Sequence, residues 1–216
     1  MTTDITVLLD RSQSMSIIRG PMITGYNQFL REQQAQPGAA HLTFNLFDAF
    51  GPLNTLHYDT IYSGDLAKAT PLTYELFVPR GNTPLIDAMD RVIDDTGKRL
   101  RALPEAYRPD RVVLVIITDG QENASHLTTR ERVMTKVEHQ RDVYKWDFLY
   151  LGANQDAVLE AQSYGIPLAG VANYTNTNAG GVFFAASQSL NRARSSTSAA
   201  ASFTPDELAA LVDDSK

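Results

Sequence analysis

Five side chains with oxygen donors, spread over three short segments, have the types and spacing to hold a metal ion. The segment "DRSQS" contains the carboxylate of Asp10 and the hydroxyls of Ser12 and Ser14. The segment "GNTPL" adds the hydroxyl of Thr83, and "TDGQEN" adds the carboxylate of Asp119. Such a donor set suits a hard cation, Mg²⁺ or alternatively Ca²⁺ or Mn²⁺, and excludes a structural zinc site.

Three of these residues also have a structural interpretation. Asp10 and Asp119 suit turns at the ends of strands. Thr83, which precedes Pro84, suits a helix N-cap. Removing the Thr83 hydroxyl separates the alternatives. Loss of a ligand would lower the metal affinity, whereas loss of a cap would lower the stability.

The three segments lie at the ends of predicted secondary-structure elements. Residues 5–9 are an apolar run that ends at Asp10, and the apolar run "RVVLVIIT" ends just before Asp119. A nearly continuous apolar run is typical of a parallel strand buried on both faces. Downstream of Thr83, apolar residues recur at helical spacing, namely Leu85, Ile86, Met89, Val92 and Ile93.

Strands and helices alternate along most of the chain. Further strands are predicted at "HLTFNLFDAF", "NTLHYDTIYSG", "WDFLYLG" and "LAGVANY", and the second of these is expected to pair with its predecessor at an edge. Helices are predicted at "GPMITGYNQFLREQQ", "LTTRERVMTKVEHQRDVY", "NQDAVLEAQSYG" and "GGVFFAASQSLNRAR". The pattern predicts an α/β fold with a doubly wound, mostly parallel sheet, one antiparallel edge strand and helices on both faces.

In a doubly wound sheet, ligands bind at the carboxyl ends of the strands, where the strand order reverses. Strands one and four are usually neighbours there, so we expect Asp10 and Asp119 to face each other. Two carboxylates repel by roughly 4 kcal/mol at 4 Å and an effective dielectric constant near 20. A proton or a divalent cation would relieve that repulsion. Mg²⁺ takes about six ligands, so three or four protein oxygens leave a position open.

Taken together, "DRSQS", "GNTPL" and "TDGQEN" resemble the metal-ion-dependent adhesion site of von Willebrand factor type A (vWA) domains. The family pattern is Asp-x-Ser-x-Ser, then a Thr, then an Asp in a Thr-Asp-Gly turn. The resemblance covers roughly residues 4–175 and is closest to small stand-alone bacterial and phage-type members, in which a "YLGANQDA"-like stretch recurs. It implies a Rossmann-like fold and a divalent cation completed by an Asp or Glu of a partner. The metal ligands that it implies are Asp10, Ser12, Ser14, Thr83 and Asp119.

One position departs from that family pattern. Gln13 stands where many members have Gly. If the backbone there required a positive φ, Gln13 would be strained.

Composition narrows the functional class. A formal charge of -6 and a pI of about 5.2 argue against nucleic-acid binding. There is no dense Lys/Arg run for a membrane surface and no membrane-length apolar stretch. The chain has no cysteine, and its first residues do not resemble a signal peptide, so we expect a cytoplasmic protein.

An enzyme is not expected. A haloacid-dehalogenase-like phosphatase needs a second Asp two residues after the first, and that position is Ser12. There is no G-x-S-x-G motif and no Gly-rich phosphate loop. We therefore expect a protein-binding domain that engages a partner's carboxylate through its metal. The alternatives are a Mg²⁺-dependent phosphohydrolase-like enzyme and a scaffold that docks without the metal.

Two units are predicted along the chain. Residues 1–194 form the vWA-like domain, and residues 195–216 form a low-complexity linker and a short C-terminal helix or tail. Thr204, Pro205 and Glu207 give that helix a capping-box start. Elsewhere, we interpret Glu122 and Asn123 as residues that shape the loop of Asp119, Asp48 as a structural residue, and the aspartates of the helix after Thr83 as a solvated face, namely Asp87, Asp90, Asp94 and Asp95.

Overall fold

A computed structural model describes residues 1–153, 156–196 and 199–212. Its central feature is a six-stranded sheet in the order β3-β2-β1-β4-β5-β6. The strands are β1 (Thr3–Asp10), β2 (Ala40–Phe50), β3 (Thr55–Asp65), β4 (Arg111–Thr118), β5 (Asp147–Gly152) and β6 (Val171–Asn173). The α-helices are α1 (Arg19–Ala35), α2 (Leu85–Ala102), α3 (Arg130–Tyr144), α4 (Ala157–Ser163), α5 (Val182–Ser195) and α6 (Pro205–Val212).

All strand pairs are parallel except β2 with β3, which is antiparallel at the edge of the sheet. The chain crosses from β1 to β2 on one side and returns to β4 on the other side of β1. The strand order therefore reverses between β1 and β4, and their carboxyl ends meet at one edge of the sheet. This confirms the predicted fold class and the predicted neighbourhood of strands one and four.

The sheet is covered on both faces, which explains the continuous apolar runs of β1 and β4. In β1, Val7 and Leu9 pack on one side with α1 and α5, while Leu8 packs on the other with α2. Every residue of β1 is buried. Because neither face of these strands meets water, the alternation of apolar and polar residues typical of half-exposed strands is absent.

The C-terminal segment packs on the domain. Leu211 is buried, the Arg192 guanidinium pairs with Glu207, and the Phe203 amide donates to the Ala169 carbonyl at 2.8 Å. The predicted capping box is confirmed, since the Thr204 amide donates to Glu207 Oε2 at 2.9 Å and the Glu207 amide donates to Thr204 Oγ1 at 3.3 Å.

The boundary between residues 194 and 195 stays a prediction, and residues 197–198 and 213–216 of the predicted linker and tail lie outside the described residues. In the part of the chain that the structure describes, no helix has the length and hydropathy to cross a bilayer. The cytoplasmic location also stays a prediction.

Candidate metal centre

Asp10, the last residue of β1, is completely buried. Its Oδ1 accepts the Ser12 amide at 2.7 Å, and its Oδ2 accepts the Thr118 hydroxyl at 2.7 Å. Burial, and to a lesser degree the nearby Asp119 charge, raise the pKa of Asp10 to about 7, although these hydrogen bonds act in the opposite direction. The side chain is therefore a buried acid held only by uncharged donors.

Ser12, Ser14 and Asp119 continue the cluster. A short 3₁₀ turn at Gln13–Ser16 brings the two serine hydroxyls to 3.0 Å from each other, and Ser14 Oγ donates to Asp119 Oδ1 at 2.6 Å. Burial also raises the pKa of Asp119. The turn after β1 and the turn after β4 thus share one hydrogen-bonded set of oxygens.

Thr83 reaches the same cluster from a third segment. A Cβ placed on Gly120 would lie 3.1 Å from Thr83 Oγ1 and 3.4 Å from Ser14 Oγ. The hydroxyls of Thr83 and Ser14 therefore both lie close to the same bare backbone position, Gly120. A larger residue at Gly120 would crowd both oxygens.

The Thr83 hydroxyl is not the cap of α2, so the N-cap interpretation is wrong. The helix begins at Leu85, its N-cap position is Pro84, and no side-chain cap bond forms there. The amide of Ile86 instead donates to Glu122 Oε2 at 2.8 Å, and the amide of Asp87 donates to Ser125 Oγ at 3.0 Å. The loop after β4 caps α2 from outside the helix, which leaves the Thr83 hydroxyl available to the oxygen cluster.

The same loop is tied to the segment of Thr83. Asn123 Oδ1 accepts the Thr83 amide at 2.9 Å, and the Asn123 amide donates to the Thr83 carbonyl at 3.1 Å. Glu122 also accepts the Ala124 and Ser125 amides. These contacts agree with the prediction that Glu122 and Asn123 shape the loop around Asp119.

Asp87 corrects the interpretation of the α2 aspartates as a solvated face. It is buried, and its carboxylate accepts the backbone amides of His126, Leu127 and Thr128 at 2.9–3.0 Å. Two other aspartates of α2 pair with a lysine of α3, since Lys136 Nζ lies 2.7 Å from both Asp90 and Asp94. No local pattern indicated these partners, which follow about 40 residues later along the chain.

Gly81 fixes the path of the chain into Thr83. Its φ is +63°, and a Cβ there would lie 1.9 Å from the Ala49 carbonyl oxygen, so only glycine fits. Its own carbonyl accepts the Gln13 amide at 3.0 Å. Gln13 is not among the residues with positive φ in the described chain, so the strain considered for this position is absent.

Sequence reasoning missed a charged group beside the loop of Ser12 and Ser14, which we call the Asp48 cluster: Arg11, Asp48, Asp59 and Arg80. Asp48 is completely buried, and Arg11 is 5% exposed. Asp48 Oδ2 accepts Arg11 Nε at 2.6 Å and Arg80 Nε at 2.9 Å. The only available signal was an arginine inside "DRSQS" and an aspartate near the end of the neighbouring strand, and neither indicated the pairing.

The donor set fits a hard cation. The 3.0 Å between the serine hydroxyls matches the edge of an octahedron whose ligands lie about 2.1 Å from Mg²⁺. No ion pair formed within the described residues includes Asp10 or Asp119. No three His, Asp or Glu side chains group as metal ligands in those residues either. This candidate site differs from such a group because it has two carboxylates and three hydroxyls.

Solved structures share this architecture at low sequence identity. The pilus adhesin SpaC from Lactobacillus rhamnosus GG superposes with a TM-score of 0.62 at 11% identity, over 88% of this chain and 30% of SpaC. A von Willebrand factor type A structure from Catenulispora acidiphila gives 0.56 at 12% identity, over 84% of this chain and 41% of that one. The chain has the von Willebrand factor type A fold.

A third vWA-fold neighbour is the TRAP protein of Plasmodium vivax, solved in a manganese-loaded form. Its TM-score is 0.51 at 14% identity, over 84% of this chain and 71% of TRAP. The present chain spans less than half the length of SpaC and of the Catenulispora structure. No protein-family model matches the sequence, and no curated protein matches it. The vWA fold thus rests on three-dimensional similarity together with the sheet order.

Proposed function

We propose that this vWA-fold domain is a protein-binding module that holds a divalent cation, Mg²⁺ in our proposal, and engages an acidic side chain of a partner through it. The proposed ligands are Asp10, Ser12, Ser14, Thr83 and Asp119. One observation carries the proposal. Two carboxylates from different strand ends share a hydrogen-bonded set of hydroxyls, and neither has a cationic side chain as a partner among the described residues.

The energetics of Asp10 and Asp119 support a cation at this position. Burial raises the pKa of both carboxyls, which means that their charged forms are unfavourable without a positive partner. A bound divalent ion supplies that partner and offers an open coordination position to an outside carboxylate. Since three of the five proposed ligands are uncharged, the ion keeps much of its positive charge for that carboxylate.

The residues around the ligands hold the site in place. Asp10 accepts the Ser12 amide, Asn123 accepts the Thr83 amide, and the missing side chain of Gly120 leaves room for the hydroxyls of Thr83 and Ser14. Such contacts orient ligands in advance, and ligand orientation commonly changes metal affinity 10- to 100-fold. The chain thus supplies an ordered set of oxygens.

We favour binding over catalysis and over docking without the metal. The side chains that surround the proposed ligands form hydrogen bonds that hold the loops, and in the described part of the chain none of these side chains is a histidine or lysine placed to act as a general base. The alternative of docking through the C-terminal helix loses support because Leu211 of α6 is buried on its own domain.

Titration calorimetry tests the metal step directly. MgCl₂, MnCl₂ and CaCl₂ are titrated into protein freed of metal with EDTA and desalted. The wild type is expected to bind one ion, and Asp10→Ala is expected to abolish the heat. The matched control is Asp142→Asn, which removes a carboxylate with a 62% exposed side chain at the end of α3 and should bind like the wild type. Absence of binding by the wild type for all three ions contradicts the proposal.

Partner engagement is tested by affinity capture from the native cell. The bait is the wild type, Asp10→Ala or Asp142→Asn, each with Mg²⁺ or with EDTA. A partner retained by the wild type and the control with Mg²⁺, and released by EDTA and by Asp10→Ala, is the expected result. Replacing the acidic residues of that partner should then abolish binding. Capture that is unaffected by EDTA favours the scaffold alternative.

A further inference from the structure

Arg11 lies inside the metal-site segment but points away from the proposed ligands, into the Asp48 cluster. Its guanidinium is nearly inaccessible to solvent, with a side-chain exposure of 7%. Nε donates to Asp48 Oδ2 at 2.6 Å and Nη2 donates to Asp59 Oδ2 at 2.7 Å. A buried arginine is uncommon, and this one is placed directly after Asp10.

The backbone of Arg11 is bonded on both sides. Its amide donates to the Phe47 carbonyl at 2.8 Å, and its carbonyl accepts the Arg80 amide at 2.9 Å. The side chains of the two arginines also share an acceptor. Arg80 Nε donates at 2.9 Å to Asp48 Oδ2, the oxygen that accepts Arg11 Nε. The segment of Ser12 and the segment that leads to Thr83 therefore meet at one carboxylate oxygen.

We propose that Arg11 is a positioning residue for the metal site. By binding Asp48 together with Arg80, it fixes the turn that carries Ser12 and Ser14 relative to the segment that carries Thr83. The affinity for the ion then depends on a guanidinium that does not contact the ion. This inference rests on the proposed function and deepens it.

The convergence on a single oxygen is the main physical support. Asp48 Oδ2 accepts both arginines, whereas Asp48 Oδ1 is buried without a hydrogen-bond partner among the described residues. A carboxylate that leaves one oxygen unpaired does so at a cost in free energy. Because both arginines share this one acceptor, which β2 holds in place, Asp48 links the segment of Arg11 to the segment of Arg80.

The charges of the Asp48 cluster are balanced. Arg11 and Arg80 carry two positive charges, and Asp48 and Asp59 carry two negative ones. The cluster therefore places no net positive charge beside a site that must attract a cation. A lone arginine next to Asp10 would repel the ion, so this balance lets a guanidinium hold the loop without weakening the site.

The test compares two arginines that pair with buried aspartates: Arg11 pairs with Asp48 of β2, and Arg99 pairs with Asp4 of β1. Arg11→Met removes the cluster's link to the metal loop, and Arg99→Met removes the partner of Asp4 at the other end of the strand. Mn²⁺ and Mg²⁺ affinities are measured by calorimetry, and unfolding by urea is measured without metal. Both variants should lose stability, but only Arg11→Met should weaken Mn²⁺ binding, by about 10- to 100-fold. Arg11→Lys, which keeps the charge and one bond, should recover part of that loss.

Each outcome is decisive. Unchanged or tighter metal binding by Arg11→Met overturns the positioning role, as does an equal weakening by Arg99→Met. A wild type that binds neither ion overturns the proposed function itself, which is a different failure. If Arg11→Met does not fold, Asp59→Asn decides, because it removes one Arg11 bond at a carboxylate with a 51% exposed side chain. A weakening of about 2- to 5-fold supports the role, and an unchanged affinity overturns it.

Discussion

The two ends of β1 each bury an aspartate, and the two carboxylates are held in opposite ways. At the start of the strand, Asp4 receives two hydrogen bonds from the Arg99 guanidinium, at 2.6 and 2.9 Å, and His41 Nδ1 lies 3.3 Å away. At the end of the strand, Asp10 receives a backbone amide and a hydroxyl, each at 2.7 Å. Both residues are at most 1% exposed.

The pKa values follow the partners. Burial raises the pKa of Asp4, but the bonds to His41 and Arg99 outweigh it, so the pKa is lowered. Burial raises the pKa of Asp10 to about 7 because its two donors are uncharged and its charged neighbour is Asp119. With similar burial, the partner decides whether a carboxylate is structurally satisfied or able to accept a cation.

The largest expected effect is a separation of binding from stability at the two ends of β1. If the proposed function holds, Asp10→Asn should weaken divalent binding by at least about 100-fold, because it removes one of the two charged ligands in that proposal. It should leave metal-free stability unchanged or higher, since a buried charge is lost. Asp4→Asn should lower stability by about 3 kcal/mol, because Arg99 loses its partner, and should keep metal binding. Calorimetry and urea unfolding in EDTA measure both quantities, and similar profiles for the two variants would remove the distinction.

The second prediction concerns pH. The folded pKa of Asp10, about 7, lies above its unfolded value near 4, so the unfolded state holds fewer protons between these values. The contribution of Asp10 to the free energy of unfolding without metal is therefore fully present below pH 4. It falls as the pH rises to about 7, by at most on the order of 4 kcal/mol. The lowered pKa of Asp4 has the opposite sign: its contribution is present above pH 4 and is lost as pH falls.

Urea unfolding in EDTA from pH 3 to 8 measures both slopes by difference. The free energy of unfolding of the wild type minus that of Asp10→Asn should decrease between pH 4 and 7. The corresponding difference for Asp4→Asn should increase as the pH rises above 3. A difference for Asp10→Asn that does not vary between pH 4 and 7 contradicts the proposed environment of this carboxyl. Adding Mg²⁺ at pH 7.5 should restore the stability lost there.

A smaller effect is expected from two threonines. Thr83→Ala should weaken metal binding by about 10-fold and change stability by less than about 0.5 kcal/mol, since its hydroxyl caps no helix. Thr129→Ala is the matched change, because Thr129 Oγ1 accepts the Arg132 amide as the N-cap of α3. It should cost about 1 kcal/mol of stability and leave metal binding unchanged. Calorimetry and thermal unfolding measure the pair, and the reverse pattern would return Thr83 to the cap interpretation.

The sequence was sufficient where a signal is local. The apolar run of β1 ends at Asp10, so both the strand and its terminal carboxylate could be located without a structure. The same holds for β4 and Asp119. Their proximity followed from the regular order of doubly wound sheets, and the strand order confirms it.

Contacts between distant loops could not be predicted. Asp87 occupies a position that suits a solvated helix face, yet it binds amides of residues 126–128. Likewise, Thr83-Pro84 has the composition of a cap, but Glu122 provides an acceptor at the start of α2 instead. Helical spacing in a sequence gives information about a single helix. The bonds of Asp87 and Glu122 depend instead on how the sheet places the start of α2 beside the loop after β4. The pairing of Arg11 with Asp48 was missed for the same reason.

The smallest effect is expected at Gln13, the position that departs from the vWA pattern. Gln13→Gly should change Mg²⁺ affinity by less than about 2-fold and lower stability by at most about 1 kcal/mol, the usual loss for a flexible glycine. The reason is that Gln13 has no positive φ, and among the described residues its side chain donates only to the Ser16 hydroxyl, at 2.9 Å. Its amide, which donates to Gly81, remains in the variant. Calorimetry against the wild type measures the change. A gain in Mg²⁺ affinity of 10-fold or more would contradict this expectation. It would show that Gln13 holds the loop after β1 away from the best geometry for an ion, in spite of the spacing of the two serine hydroxyls.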